Sequence, residues 1–168
     1  VNADTTITVP ASKYIDFNGS TSGSGKLSTA GSGLAKFNAS ITGLNELETQ
    51  AVQINCAAIS TGGDQTYNGA TEITVNTELS APANKLIQFN AAISGTVNLK
   101  TSGAAVAEFK NTVNIANLET QVAKINTTST ITSSGTQIYN GAVELAENTA
   151  LSAGTSVTFN ANVSGAKS

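Results

Sequence analysis

The feature that most constrains this chain is an internal repeat, in which whole segments return in the same order. Pro10-Ala-Ser-Lys-Tyr-Ile-Asp-Phe17-Asn18 returns as Pro82-Ala-Asn-Lys-Leu-Ile-Gln-Phe89-Asn90, and Phe17 and Phe89 lie 72 positions apart. Leu47–Asn55 returns as Leu118–Asn126 after 71 positions, and Gln65–Ala70 as Gln137–Ala142 after 72. Phe89–Gly95 returns once more as Phe159–Gly165. Two units and a further piece thus fill all 168 residues. A sequence of this kind folds as like units stacked on like, or as two similar halves packed together.

A shorter motif runs inside each unit: an aromatic residue, then Asn, then a small residue. It stands at Phe17-Asn-Gly, Phe37-Asn-Ala, Tyr67-Asn-Gly, Phe89-Asn-Ala, Tyr139-Asn-Gly and Phe159-Asn-Ala, with Phe109-Lys-Asn as a degenerate copy. Of the aromatic residues only Tyr14 falls outside the slot. Successive copies keep a short, nearly constant spacing, as from Phe17 to Phe37 or from Tyr67 to Phe89. Two longer gaps interrupt it, between Phe37 and Tyr67 and between Phe109 and Tyr139. Each long gap contains a Leu-Glu-Thr-Gln segment.

Residues two apart on a strand share a face. The pattern therefore predicts Ile87, Phe89, Ala91 and Ile93 on one buried face, and Val157, Phe159, Ala161 and Val163 likewise. Coils of roughly 20 residues, each burying one aromatic, one small and one β-branched residue, are what a stacked solenoid needs. The fold expected is all-β: a repetitive β-solenoid forming one domain over 1–168, with 1–23 and 149–168 as ends in the same repeat phase. Its core would carry one ladder of Phe17, Phe37, Tyr67, Phe89, Phe109, Tyr139 and Phe159, and the following Asn residues a second, hydrogen-bonded ladder. The alternative is a duplicated β-sandwich of pilin type, whose core strands the same slots would mark.

Composition supports strands and turns and excludes several functions. Hydrophobic residues make up 39% and charged residues only 11%, which argues against disorder. Thr and Val suit a pleated surface, and Asn and Gly suit tight turns. The net charge is −3 and the basic residues are scattered, so no stripe exists for a nucleic acid. No apolar run is long enough to insert as a membrane-spanning helix. The opening Val1-Asn2-Ala3-Asp4 reads as a mature end left by signal cleavage, which together with the composition points to a secreted, extracellular or cell-surface protein.

Gln137-Ile-Tyr-Asn-Gly-Ala-Val-Glu-Leu145, followed by Thr149-Ala-Leu-Ser152 and Val157-Thr-Phe-Asn160, resembles the repeats of large bacterial exoproteins, the filamentous-haemagglutinin-like and autotransporter adhesins. The resemblance extends over nearly the whole chain, since Gln65 to Phe89 follows the same pattern. It implies a right-handed parallel β-helix on the cell surface, used as a stalk or adhesive rod. Such exoproteins are usually far longer, so a fragment and a free-standing subunit both remain open.

No catalytic constellation is expected, and the chain is read as a non-enzyme without a cofactor. There is no His for a triad or a histidine metal site, and the single Cys56 aligns with Thr127 in the second unit, as a small buried residue would. The nearest approach to a Ca²⁺ pattern is Glu46 with Glu48 and Glu144 with Glu147; solvated surface charge is the alternative. The strand Thr5-Thr-Ile-Thr-Val9 alternates and carries no charge, which suits it to adding to another subunit's edge through Thr5, Ile7 and Val9. The function expected is a structural filament or adhesin stalk, a head-to-tail homopolymer. A glycan- or ice-binding face and a donor-strand subunit are the alternatives.

Overall fold

In the computed structural model the chain is a parallel β-solenoid, an all-β structure with no helix among the described residues. Residues 1–165 are described; Ala166–Ser168, the end of the C-terminal piece 149–168, lie outside the described residues. The first turn holds β1 (Thr5–Thr8), β2 (Tyr14–Phe17) and β3 (Thr21–Ser22), and the second β4 (Lys26–Ala30), β5 (Leu34–Phe37) and β6 (Ile41–Leu44). The third holds β7 (Glu46–Thr49), β8 (Val52–Ile54) and β9 (Ala58–Thr61), and the fourth β10 (Gln65–Tyr67), β11 (Thr71–Ile73) and β12 (Thr77–Ala81). The fifth holds β13 (Leu86–Phe89), β14 (Ile93–Gly95) and β15 (Asn98–Gly103), and the sixth β16 (Val106–Phe109), β17 (Val113–Ile115) and β18 (Asn117–Thr120). The seventh holds β19 (Val122–Ile125), β20 (Ile131–Ser133) and β21 (Thr136–Tyr139), and the eighth β22 (Val143–Leu145), β23 (Leu151–Ala153) and β24 (Ser156–Phe159). A last strand, β25 (Val163–Gly165), starts another turn.

Every third strand pairs in parallel, so the strands form three sheets along a three-sided rod. Sheet I runs from β1 to β25 and has nine strands; sheet II runs from β2 to β23 and sheet III from β3 to β24, with eight each. The sandwich alternative is overturned, because that architecture is built from antiparallel strands and these pairings are parallel. At ~4.8 Å per turn the rod is roughly 40 Å long. Counting one aromatic per turn gives only seven turns and falls short, because the third turn, β7–β9, contains none.

The expected face of four residues around Phe89 is divided between two sheets. Ile87 and Phe89 point inward from β13, the chain bends at Asn90–Ala92, and Ile93 points inward from β14. The aromatic-Asn-small motif is therefore a strand end followed by a corner. Alternation still explains the core, since β7, β9, β13 and β18 each bury every second residue.

The seven aromatics do not form one ladder. Phe17 and Phe37 pack against each other on sheet II with centroids 5.0 Å apart and rings tilted by 37°. Tyr67, Phe89 and Phe109 stack on sheet I at 4.8 and 5.6 Å, and Tyr139 and Phe159 on sheet III at 5.0 Å. The cause lies in the spacing. The short spacing, as from Tyr67 in β10 to Phe89 in β13, advances three strands and returns to the same sheet. The long gap advances five strands and arrives one sheet away, as from Phe37 in β5 to Tyr67 in β10 and from Phe109 in β16 to Tyr139 in β21.

The repeating unit is accordingly eleven strands long, or three turns and two strands. Each repetition rotates the pattern by one side of the rod. Local geometry survives the rotation. Ser12 and Asn84, in equivalent turns, have φ of 59° and 62°, and Gly31 and Gly103 have 85° and 76°. A Cβ on Gly103 would collide with the Ala81 carbonyl oxygen, so both conformation and space require glycine there.

Two buried polar braces also repeat. Gln65, fully buried, donates to the carbonyls of Ser80 at 2.8 Å and Ile59 at 3.3 Å, and its own carbonyl accepts from the Tyr67 hydroxyl at 2.9 Å. Gln137 does the same with Ser152 and Ile131, at 2.8 and 2.9 Å, and with Tyr139 at 3.1 Å. Each brace ties one sheet to the next through the interior. Beside them the hydroxyls of Thr49 and Thr120, again equivalent, are buried without a partner. Opposite outcomes follow from substitution at these two kinds of site. Gln137→Leu strands a phenol and two carbonyls and is expected to cost about 2–4 kcal/mol in urea unfolding, whereas Thr120→Val removes an unpartnered hydroxyl and should stabilise by about 1 kcal/mol.

Candidate functional site: the terminal coils

At either end of the described rod the stacked core lies open. The first turn presents half-buried Ile7, Ile15 and Phe17, and the last presents half-buried Leu151 and Val157. Phe159 and Val163 beside them are 39% and 44% exposed, whereas Phe89 and Phe109 in the middle are within 1% of full burial. Five of the six strands in the end turns are hydrogen-bonded along one edge only: β1 to β4, β2 to β5, β23 to β20, β24 to β21 and β25 to β22. The sixth, β3, pairs with β6, and on its other edge its Ser22 carbonyl accepts from the Val1 ammonium. Unpaired backbone along an apolar edge is a template for another strand.

Of the residues singled out for assembly, Thr5 is exposed and Ile7 half-buried at this edge. Val9 does not belong with them. It is 4% exposed, and its amide donates to the Ala30 carbonyl at 2.8 Å, so its side chain closes the core rather than the edge. Phe159 and Val163, expected on a buried face, lie exposed at the opposite end instead, because no further described turn covers them. Their place in the final copy of the repeat was the available signal.

The Asn residues of the repeated motif line the corners. Asn55 donates to Asn38, which donates to Asn18 at 2.8 Å. Asn90 donates to Asn68 at 2.8 Å, and Asn160 to Asn140 at 2.9 Å. In each case the later residue donates to the earlier, so every ladder has a direction. Asn68 and Asn140, which open two of these ladders, donate in turn to Glu48 and Glu119. Such ladders fix the axial register of successive turns.

The carboxylates considered for Ca²⁺ lie apart. Glu46 and Glu48 both face Lys26, at 3.8 and 2.6 Å, and Glu144 pairs with Lys124 at 3.3 Å, five turns further along. The hydrogen bond from Lys26 pulls the pKa of Glu48 down and raises that of Lys26. Among the described residues no group of three or more His, Cys, Asp or Glu side chains is placed to hold a metal ion. Burial opposes ionisation of Glu108, but bonds from Gln88 and Asn126 with Lys110 nearby outweigh it and leave its pKa lowered.

Sheet III carries a shallow groove of about 460 Å³ on its outer side, bordered by Asn76, Glu78, Asn98, Lys100, Asn117 and Glu119. Its amides are largely engaged. Asn76 accepts from the Asn98 backbone, Asn98 from Asn117, and Asn117 from Thr136. Lys100 and Glu119 stand 3.8 Å apart. Cys56 is buried near Tyr67, and burial raises the pKa of its thiol against a weak bond to the Ala58 carbonyl. That environment holds it as an inert thiol rather than a thiolate. Comparison of the chain with protein-family models, curated proteins and solved structures finds no match.

Burial pushes the pKa of Tyr67 and Tyr139 well above the ordinary phenol value. The folded state therefore keeps both protons after the unfolded chain has lost them. Stability is full below the unfolded pKa near 10 and should fall above it by about 1.4 kcal/mol per pH unit for each phenol. Urea midpoints measured on either side of that pH test this. Phenolate absorbance that rises for every tyrosine while the β-sheet circular dichroism stays intact would contradict it.

Proposed function

We propose that the chain is a structural rod, an extracellular fibre or surface-stalk element that builds length by adding parallel strands at its ends. Catalysis has no part in this reading. The observation that carries it is the stack of eight parallel turns around one continuous apolar core, whose end turns, among the described residues, present apolar side chains and strand edges with almost no charge. In sheet proteins that stay single, edges of this kind are usually broken by charges, bulges or covering segments. Here the exposed positions of β1 and β24 are threonines, a serine and Phe159.

The resemblance to exoprotein repeats supports the same reading, since those repeats serve as stalks. The repeat's own geometry supports it too. A unit that turns by one side of the rod at each repetition distributes its corners and charges over all three faces. No single face is specialised along the whole length.

Electron microscopy and sedimentation of the purified chain test this. Unbranched rods about as wide as one solenoid, lengthening with concentration, are expected at neutral pH. A species that stays monomeric at every concentration would sink the proposal.

A further inference from the structure

We infer that a second copy of this chain is the occupant of each open end, and that successive copies are related by one third of a turn. This rests on the rod reading above and specifies its joint. β23, β24 and β25 are the third appearance of the segments that first appear as β1, β2 and β3. Phe159 occupies the slot of Phe17, and Asn160 that of Asn18. Because each unit turns by one side, the corresponding strands lie on different sheets: β1 on sheet I and β23 on sheet II, β2 on II and β24 on III, β3 on III and β25 on I.

A three-sided rod offers three ways to stack, and the end faces distinguish them. Each end of a solenoid is a spiral ramp with one step. With β25 already placed on sheet I, the next strand in the winding order belongs over β23 on sheet II. Setting β1 of the second copy there lets β1 cover β23 and β2 cover β24, while β3 meets β25 through Thr21 alone, since Val1 already donates to the Ser22 carbonyl on that edge. Either other rotation leaves a gap of at least one strand layer.

Side chains select the same rotation. It sets Phe17 over Phe159, joining the 5.0 Å Tyr139–Phe159 stack to the 5.0 Å tilted Phe17–Phe37 pair in one aromatic column. It also sets Asn18 over Asn160. Asn160 donates to Asn140 and offers its carbonyl upward; Asn18 accepts from Asn38 and offers its amide downward. The ladder continues across the joint in its existing direction. On the outer face Asp16 comes to lie beside Thr158, with no like charge opposed. Without rotation Phe159 would face the Thr21 position, and with the opposite rotation the Ile7 position, and both aromatic stacks would end at the joint.

Disulfide trapping tests the inference. Neighbouring positions on paired strands lie within the Cα separation a disulfide spans. Asp16 and Thr158 stand at opposite ends of one chain, so only two chains can link them. In a Cys56→Thr background, Asp16→Cys with Thr158→Cys is expected to give a covalent ladder of multimers on mild oxidation. Ser20→Cys or Thr6→Cys, each with Thr158→Cys, reports the other two rotations and should stay unlinked. Electron microscopy of the unsubstituted chain should show an axial repeat of roughly 40 Å per subunit, the rise of its turns. Filaments that cross-link through position 20 or 6 would overturn the rotation and leave the rod reading standing. Filaments with no cross-link in any pair would overturn the end-to-end joint. An unsubstituted chain that forms no filaments would overturn the rod reading itself.

Discussion

Everything in this molecule depends on parallel pairing between one turn and the next. A turn is as short as the stretch from Ala107 to its partner Ala123 and as long as that from Thr5 to Leu27. Within that length the chain must make three strands and three corners. The pairing then dictates which residues stack. A residue three strands on becomes an axial neighbour, and its side chain continues the same column. Aromatic stacks, Asn ladders and Lys–Glu pairs are all consequences of that count. Apolar columns contribute the stability, at roughly 1.5–3 kcal/mol for each large side chain removed from water. The corners set the register.

The same count explains why the repeat does not follow the turn. Eleven strands is not a multiple of three, so a unit never lies directly above its predecessor's equivalent. The Leu-Glu-Thr-Gln segments bring this about. In them β7 and β8 are joined by Gln50 and Ala51 alone, and β18 and β19 by Gln121 alone. These tight corners shorten the turns and place the next aromatic on a new side. Thr49 and Thr120, where each new stack begins, hold buried hydroxyls without a partner. The change of column thus coincides with the least satisfied points of the core.

Much of this was legible in the sequence. The repeat and the stacked turns follow from spacing; the Asn residues do hydrogen-bond from turn to turn, but in separate short ladders rather than the one expected. The single aromatic ladder failed because it treats the gap from Phe37 to Tyr67 as one long turn, although the chain fits five strands into it rather than three. The Gln65–Tyr67 and Gln137–Tyr139 braces leave no trace in the hydrophobic pattern for another reason. Gln two residues before Tyr must share its face, yet a polar residue carries no hydrophobic signal, and only the packed interior shows that Gln65 reaches the Ser80 carbonyl. Alternation groups Val9 with Thr5 and Ile7 because it identifies a face, whereas burial depends on what covers that face.

The rotation of the repeat is the claim on which the rest stands, and ring contacts in solution test it most directly. In nuclear Overhauser spectra of the chain, the Tyr67 ring should contact Thr49 on one side and Phe89 on the other, because these are its partners on sheet I. A contact between the Tyr67 and Phe37 rings would mean that the aromatics share one column, and the eleven-strand unit would be wrong.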